Sequence, residues 1–232
     1  MTQHFLPGKP DIPLILRHSA RARRISLRVS QLDGRVTLTL PKRVAEREAL
    51  AFARDKEPWI RRHLEERGED IAVVPGVELP VGGQIHRVIS GTGRRIVFEP
   101  GCIKVPGRPE RAGKRLAAHL KTLARMRLAE ACDDYAARLG KPYAAITLRD
   151  TRSRWGSCTA HGRLMFSWRL IMAPPEVLDY VAAHEVAHLS QMNHSKAFWA
   201  EVEKIYGSYD APRQWLRRDG NGLHRYRFES PA

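Results

Sequence analysis

Cysteine is scarce in this chain of 232 residues, which contains only Cys102, Cys132 and Cys158. An odd number of widely spaced cysteines does not form a disulfide framework, so we expect a reducing, cytoplasmic compartment. Long apolar runs are lacking as well, and a membrane-spanning helix needs roughly 20 such residues in a row. The opening stretch MTQHFLPGKPDIPLIL also lacks the basic segment and apolar core of a secretory signal. These absences argue against a membrane protein and against a secreted one.

Acidic residues are fewer than basic ones, with 25 Asp and Glu against 40 Lys and Arg, and the formal net charge is +15. Such an excess attracts polyanions, and nucleic acid is the partner that it favours most. A basic surface that is merely solvated would give the same count. The basic residues are spread along the chain, and no Gly-rich phosphate loop of the GxxxxGK type is present. Charge therefore predicts attraction to nucleic acid but does not locate a binding site.

Hydrophobic residues make up 43% of the chain and charged residues 28%, which is typical of a globular protein. Apolar residues occupy every second position of 23–29 and 35–41, and the LDG between them (32–34) predicts a hairpin turn. Helical spacing over 44–68 predicts an amphipathic helix that is kinked or restarted at Pro58. Three further short strands are predicted at 84–90, 94–99 and 102–105.

Helical patterns dominate the second half of the chain. The helix predicted over 113–139 is closed by Gly140 and Pro142. The helix predicted over 174–192 begins with two prolines, and Ser195 is the expected N-cap of the helix after it. The remaining predicted elements are strands at 145–150 and 163–173, a polar loop at 151–162, and helices at 195–207 and 210–219.

The order of these elements predicts an α+β protein. We expect a β-rich N-terminal region with one amphipathic helix at 1–106. A compact, mostly helical domain with a small sheet is expected at 107–232, so that the domain boundary falls near 106–112. The sequence shows no internal repeat.

The segment HEVAHLSQMNH, His184 to His194, holds three of the ten histidines. Residues four apart lie on one face of an α-helix, so His184 and His188 can bind one metal ion together. Glu185 points about 100° away around the helix axis, which places its carboxylate beside the metal and not on it. This is the HExxH pattern of two ligands and a general base. Its flanks are apolar, so we expect a buried helix whose polar side chains need a partner such as a metal.

A catalytic zinc ion needs three protein ligands and one position open to water. His194 is the favoured third ligand, because a reversal of the chain around 191–193 would bring it under the metal. Asparagine tolerates the left-handed conformation that ends helices, which suits Asn193. The alternative third ligand is a glutamate of the next helix, Glu201 or Glu203. The predicted Zn²⁺ ligands are His184, His188 and His194, with Glu185 as the catalytic base.

A mechanism follows from this arrangement. Zinc lowers the pKa of its bound water to about 7 and polarises the scissile carbonyl. Glu185 would accept a proton from that water during the attack and pass it to the leaving amine. The developing oxyanion needs a second donor besides the metal. The candidates for this donor are Arg154, Tyr206, Tyr209, His224 and Tyr226.

Three motifs in order, RWGSC (154–158), WRLIMAPPEVLDYVAAHEVAHL (168–189) and NHSKAFW (193–199), resemble the YgjP-like zinc metallopeptidase family. RRISLRV, EPWI and YDAPRQWLRRDG (209–220) fit the family too, so the resemblance covers nearly the whole chain. It implies a minimal zincin core with the same three histidines as ligands and the same glutamate as base. It also implies kinship with SprT-like and WLM-type proteases, some of which act on proteins crosslinked to DNA. A nucleotide pyrophosphatase activity has also been attributed to the family.

The RWGSC loop precedes a predicted strand at 163–171. We expect this strand to lie at the edge of its sheet, beside the cleft, where it can pair with an extended substrate. Arg154 and Ser157 are candidate rim residues, and Arg154 would bind a substrate carboxylate or phosphate. The alternative is that Trp155 packs in the core while Arg154 and Ser157 hold the loop. Cys158 could bind zinc in a latent state or be a small buried residue.

The favoured function is a cytoplasmic, zinc-dependent peptidase that acts on proteins or peptides, including proteins associated with nucleic acid. The alternative is a metal-dependent nucleotide (UTP-type) pyrophosphohydrolase, because an activated water can also attack phosphorus and the positive charge favours such substrates. The missing phosphate loop counts against this alternative. A third hypothesis is a nucleic-acid-binding protein with a structural zinc. Structural zinc sites are usually closed by four protein ligands, whereas one position is open here.

Overall fold

The computed structural model describes residues 3–30 and 33–229 of the chain. It contains two compact units, Met1–Glu69 and Asp70–Ala232. Strands come first in each unit and helices follow, so the predicted α+β fold is confirmed. Within the described ranges, no helix combines the length and the apolar character needed to cross a membrane.

The first unit is a four-stranded sheet with two helices. Strand order is β1-β2-β4-β3, with β2 and β4 parallel and the outer pairs antiparallel. The predicted β3–β4 hairpin is confirmed, although Leu32 of its predicted turn lies outside the described residues. The strands β1 and β2 were not predicted. The elements are β1 (Gln3–Leu6), β2 (Ile12–Ser19), β3 (Ser26–Val29), β4 (Val36–Pro41), α1 (Glu46–Asp55) and α2 (Glu57–Arg67).

The predicted restart near Pro58 is also confirmed. Lys56 ends α1 and is at the same time the N-cap of α2, and the proline lies in the first turn of α2. Proline has no N–H, and the first turn of a helix is where an N–H lacks an intrahelical partner in any case. The core of this unit lies between the sheet and the helices, and residues such as Leu38, Ala49 and Ile60 are fully buried there.

The second unit begins with another four-stranded sheet. Its strand order is β6-β7-β9-β8, with β7 and β9 parallel and the outer pairs antiparallel. This is the topology of the first sheet, so the fold contains a repeat that the sequence does not show. Its strands, with the short β5 before them, are β5 (Ile71–Ala72), β6 (Glu78–Val81), β7 (Gln84–Gly91), β8 (Val97–Glu99) and β9 (Cys102–Pro106).

Backbone hydrogen bonds join this sheet to the helical part of the second unit. Gly82 and Gly83, in the β6–β7 turn, donate to the carbonyls of Ile171 and Met172 at 2.8 and 3.4 Å. The compact unit therefore starts at Asp70, whereas the sequence analysis places the boundary near 106–112. The change from strand-like to helical spacing predicts that boundary, but spacing does not report contacts between distant elements. Gly82 and Gly83 both have positive φ, which suits the tight turn that makes these contacts. The assignment of 107–232 as the catalytic domain stays a prediction.

The helical part packs around α3, which is 28 residues long. Gly140 ends this helix in the left-handed conformation, with φ 72°, as predicted. A three-stranded sheet has the order β10-β12-β11, and the short strand β13 pairs with β5. The elements are α3 (Ala112–Leu139), β10 (Ala145–Arg149), β11 (Gly156–Cys158), β12 (Arg163–Ser167), α4 (Pro175–Ala187), α5 (Lys196–Tyr206), α6 (Asp210–Arg218) and β13 (Tyr226–Arg227).

The strand predicted over 163–173 is only partly a strand. Its second half, Trp168–Met172, is a 3₁₀ helix whose five residues are all buried. A run of apolar residues fits either a buried strand or a buried helical turn, so the sequence does not separate the two. The 3₁₀ helix leads directly into α4, the helix that carries the HExxH motif.

Candidate active site

The helix α4 is buried because its flanking residues are small and apolar. Ala182, Ala183, Val186 and Ala187 are fully buried, and Glu185 between them is only 6% exposed. The helix ends at His188, earlier than the predicted end at residue 192. The His188 ring places its Nδ1 2.9 Å from the Gln191 carbonyl. A proton on Nδ1 would donate to this carbonyl, which leaves the lone pair of Nε2 free to bind a metal.

The reversal after α4 is not made as expected. In the described ranges no residue other than glycine has positive φ, so Asn193 is not left-handed. Its side-chain oxygen instead accepts a hydrogen bond from the Ser195 backbone at 3.3 Å, which is a local turn typical of asparagine. Ser195 then caps α5 by accepting a hydrogen bond from the Phe198 backbone at 3.4 Å.

The reversal brings the three histidines of the motif together. Their candidate ligand atoms all lie within 4.8 Å of one another, and the Nε2 atoms of His184 and His194 are 3.0 Å apart. No carboxylate or thiol from the part of the chain that the structure describes joins this group. Glu201, Glu203 and Cys158 thus lie outside it.

The chemistry of this donor set fits a divalent cation. Burial, together with the nearby His188 and His194, lowers the pKa of His184 to about 3. Burial also lowers the pKa of His188. Neutral imidazoles present lone pairs, and several of them at one point bind zinc and similar ions well. The buried Nδ1 of His184 has no hydrogen-bond partner within the described ranges, which leaves Nε2 as the atom that faces the group.

Aromatic rings enclose the histidines. Phe198 stacks on His188 with ring centres 4.4 Å apart and meets His184 edge-on at 4.9 Å. Trp199 lies 5.7 Å from His184 and 5.8 Å from His194. Tyr209 stacks on Trp199 at 5.1 Å. The imidazoles are therefore held by packing and not by their own hydrogen bonds alone.

Glu185 lies against the backbone of β11. A Cβ atom added at Gly156 would come within 2.5 Å of the Glu185 Oε1 atom. Burial raises the pKa of Glu185 to about 8, and the positive charge of Arg154 opposes that rise. The site thus has a buried carboxyl group one residue from His184, with an arginine close enough to influence it.

The strand beside Glu185 is not the one expected. β12 lies in the centre of its sheet, so the prediction of an edge strand at 163–171 is wrong. The edge is β11, which lies inside the predicted polar loop 151–162 and pairs with β12 through Ser157 and Met165. A strand of three residues is too short to show an alternating pattern, which is why the sequence analysis missed it.

The two candidate rim residues both flank this edge. Arg154 is exposed two residues before β11, and Ser157 is half-buried within it. Trp155 packs inward: its ring centre is 5.2 Å from that of His224, and its side chain approaches Gly220 closely. Cys158 is half-buried, and burial raises the pKa of its thiol to about 11, which keeps the thiol protonated at neutral pH.

The structure narrows the set of oxyanion donors. The Tyr206 hydroxyl donates to the Glu176 carbonyl at 2.8 Å. The buried ring of His224 packs on Trp155, and Tyr226 lies in β13 beside Ile71. Arg154, which influences Glu185, and Tyr209, one aromatic ring away from the histidines, are the candidates nearest the site.

Sequence reasoning missed Arg213. Its guanidinium carbon lies 4.5 Å from the centre of the Trp199 ring, and its charge contributes to the lowered pKa of His184. A faint signal was present, because residue 213 follows Tyr209 by four positions and such residues share a helix face. The aromatic contact holds a positive charge beside the histidines.

This combination of an HExxH helix, a third histidine after a reversal and a bordering edge strand is that of a metallopeptidase. The model of the YgjP-like metallopeptidase domain matches residues 23–219, and the chain belongs to this family. It is therefore a metal-dependent peptidase, and the family implies a divalent metal.

Two further comparisons add little. Among curated proteins no match is found. The chain is similar to the crystal structure of the metallopeptidase zymogen of Pyrococcus abyssi abylysin, with a TM-score of 0.36 and 22% sequence identity. That similarity covers 40% of this chain and 92% of the other. It is too low for structural detail to be carried over.

Proposed function

We propose that this protein hydrolyses peptide bonds with a zinc ion held by His184, His188 and His194 and with Glu185 as the general base. The observation that carries the proposal is the convergence of three imidazoles, whose ligand atoms lie within 4.8 Å of one another, at the end of the buried helix α4. The carboxyl group of Glu185 follows the first of these histidines directly. Three nitrogen ligands with one open position are typical of catalytic zinc. When bound, the zinc ion polarises the scissile carbonyl and makes water more acidic.

The residues of the chain supply the remaining steps. Glu185 accepts a proton from the attacking water and donates it to the leaving amine. Its burial against Gly156 keeps bulk solvent away from this proton transfer. Arg154 or Tyr209 donates to the oxyanion as it develops.

The edge strand β11 suits an extended substrate. Its outer edge offers backbone hydrogen bonds to a peptide, as in other strand-addition complexes. Arg154 and Ser157 lie at this edge, where they would contact the substrate side chains next to the scissile bond. The free thiols of Cys102, Cys132 and Cys158 are compatible with the cytoplasm as the place of action.

Glu185→Gln tests the mechanism. The amide keeps the size of the side chain but cannot accept a proton, so we expect unchanged zinc content and a loss of casein and peptide cleavage of about 10²–10⁴-fold. Glu203→Gln is the matched control, since Glu203 is exposed on α5 and lies outside the histidine group. Zinc content is measured by elemental analysis and cleavage by mass spectrometry of a peptide library.

Three results would contradict the proposal: a fully active Glu185→Gln enzyme, loss of zinc in Glu203→Gln, or no stoichiometric zinc in the wild type. The same assay includes UTP. Pyrophosphate release that depends on Glu185, without peptide cleavage, would favour the nucleotide pyrophosphohydrolase instead.

A further inference from the structure

A basic groove runs along α3 on the second unit. Two adjoining cavities, of about 640 and 420 Å³, share Lys121, Asp150 and Trp168 in their walls. Together they form one depression between α3, the end of β10 and the 3₁₀ helix, which we call the α3 groove. The exposed cationic residues in its walls are Lys114, Lys121, Arg125, Arg149 and Arg152.

The described carboxylates in the walls do not neutralise Lys114, Lys121, Arg125 and Arg149. Asp150 is engaged by the buried Arg169, with N–O distances of 2.7 and 3.1 Å. Arg227, which also lines the groove, has its own partner in Asp70 at 2.8 Å. Among the described residues of the walls, Glu229 is the one further acidic residue.

Four of the exposed cations have no counter-ion in the described ranges. Lys114, Lys121, Arg125 and Arg149 form no ion pair with another described residue, so their charges add up. Lys121 is also held in place, because its Nζ lies 5.7 Å from the centre of the Trp168 ring. The α3 groove therefore has a surplus of positive charge that no nearby carboxylate removes.

The spacing of these cations suits a chain of anions. Lys114, Lys121 and Arg125 are seven and four residues apart, which puts them on one face of α3. They span about 16 Å along the helix axis at a rise of about 1.5 Å per residue. Ala117 and Ala118 lie between them in the groove wall and leave room for a ligand. A row of this length matches a series of phosphates better than one small anion.

One loop connects the groove with the strand beside Glu185. Asp150 and Arg152 lie in its wall, and the same loop continues through Arg154, which influences Glu185, into Gly156 of β11. Four residues of extended chain span at most about 14 Å, so one short loop connects the groove with the catalytic edge.

We propose that the α3 groove binds the phosphodiester backbone of single-stranded nucleic acid and thereby brings proteins associated with that strand to the active site. The delivery of associated proteins to the active site rests on the proposed peptidase function, whereas the binding of nucleic acid does not. A flexible single strand can follow a concave groove more closely than a stiff duplex can. The ligand is recognised through its charge, so DNA and RNA are both candidates and binding should be strongly salt-dependent.

Binding is tested with the full-length zinc protein and fluorescent oligonucleotides of about 20 nucleotides, by anisotropy at several salt concentrations. The double variant Lys121→Gln/Arg125→Gln removes two charges from the groove. Lys204→Gln/Arg217→Gln is the matched control, since it removes one exposed lysine and one exposed arginine from α5 and α6. We expect at least about tenfold weaker binding by the groove variant and a salt slope smaller by about 1.4, against less than about twofold for the control.

Equal weakening by both variants would overturn the proposal, because it would mean that binding follows net charge alone. So would an absence of binding by the wild type at low salt, or tighter binding of a duplex of the same sequence. Polyglutamate that displaces the oligonucleotide at equal charge would point to an acidic protein as the partner instead. Parallel DNA and RNA arms identify the preferred strand. Anisotropy reports oligonucleotide binding and does not depend on peptide cleavage. The binding proposal can therefore be tested even if the peptidase proposal fails, and the peptidase proposal can be tested even if binding is absent.

Discussion

The two four-stranded sheets have the same strand order and pairing directions, yet they belong to different cores. The first sheet packs on the two short helices that follow it and closes a core of its own. The second shares one core with the long α3 and with α4, and Leu79, Val88 and Ile103 are part of it. A repeated topology therefore does not imply a repeated role. Among the described residues, the first sheet shares its core only with its own two helices, whereas the second shares its core with the helix that carries the HExxH motif.

The largest effect is expected from cutting the chain at the two candidate boundaries. A fragment of residues 70–232 keeps the second sheet with the core that it shares, so we expect it to unfold cooperatively and to bind zinc. A fragment of residues 107–232 lacks that sheet, and with it Leu79, Val88 and Ile103, which are fully buried in the core that also contains α3. We expect no cooperative transition for it, measured by thermal melting and near-ultraviolet circular dichroism.

Cooperative melting of the 107–232 fragment, with zinc bound, would contradict this expectation. The boundary near 106 would then be correct, and the second sheet would be an accessory like the first.

Two leucine-to-alanine substitutions, one in each core, should differ in their effect on zinc binding. Leu38 in β4 and Leu116 in α3 are both fully buried, and each change to alanine should cost about 2–5 kcal/mol of unfolding free energy. Only Leu116→Ala should lower the urea concentration at which zinc is released, because its core includes α4. Zinc release is followed with a chelating dye during the urea titration. An equal shift in both variants would show that the two units unfold as one.

The smallest losses of unfolding free energy are expected from breaking two ion pairs. Asp150→Asn leaves the buried Arg169 without its carboxylate, and we expect a loss of about 2 kcal/mol. Glu57→Gln breaks a partly buried i,i+4 pair with Arg61 in the first unit and should cost about 0.3–0.5 kcal/mol. Chemical denaturation at pH 7 measures both differences.

The Asp150 effect should also depend on pH. Burial raises the pKa of this carboxyl, but the hydrogen bond and charge of Arg169 outweigh it and the net pKa is lowered. A lowered pKa in the folded state adds stability above the ordinary value of 3.8, and this stability is lost as the pH falls through the folded-state pKa. The difference between the wild type and Asp150→Asn should therefore shrink in acid. A constant difference would mean that the carboxylate charge does not matter.

The elements with strong local signals could be predicted from the sequence. The β3–β4 hairpin alternates clearly, α3 has a long apolar face and a terminal glycine, and Ser195 is a typical N-cap. The closeness of the three histidines also followed from spacing alone. Their roles as ligands, and that of Glu185 as base, stay predictions until metal and activity are measured.

The features that could not be predicted from the sequence depend on contacts between distant parts of the chain. β11 is a strand because it pairs with β12 and borders Glu185, and three residues show no pattern of their own. The unit boundary at Asp70 depends on hydrogen bonds between the β6–β7 turn and the 3₁₀ helix, more than 80 residues later. Arg213 reaches the site through Trp199, and its four-residue spacing from Tyr209 gives only a faint sign of this position.

Gly156 has a consequence that reaches beyond its own strand. The carboxylate of Glu185 occupies the volume where any other amino acid would carry its first side-chain carbon. The glycine of the RWGSC motif therefore reflects a requirement of the neighbouring helix α4. Because Gly156 has no side chain, the Glu185 carboxyl group fits beside it. A larger residue at position 156 would displace the Glu185 carboxyl group, which is the group proposed to transfer the proton. Substitutions at this position of β11 therefore require compensating changes in α4.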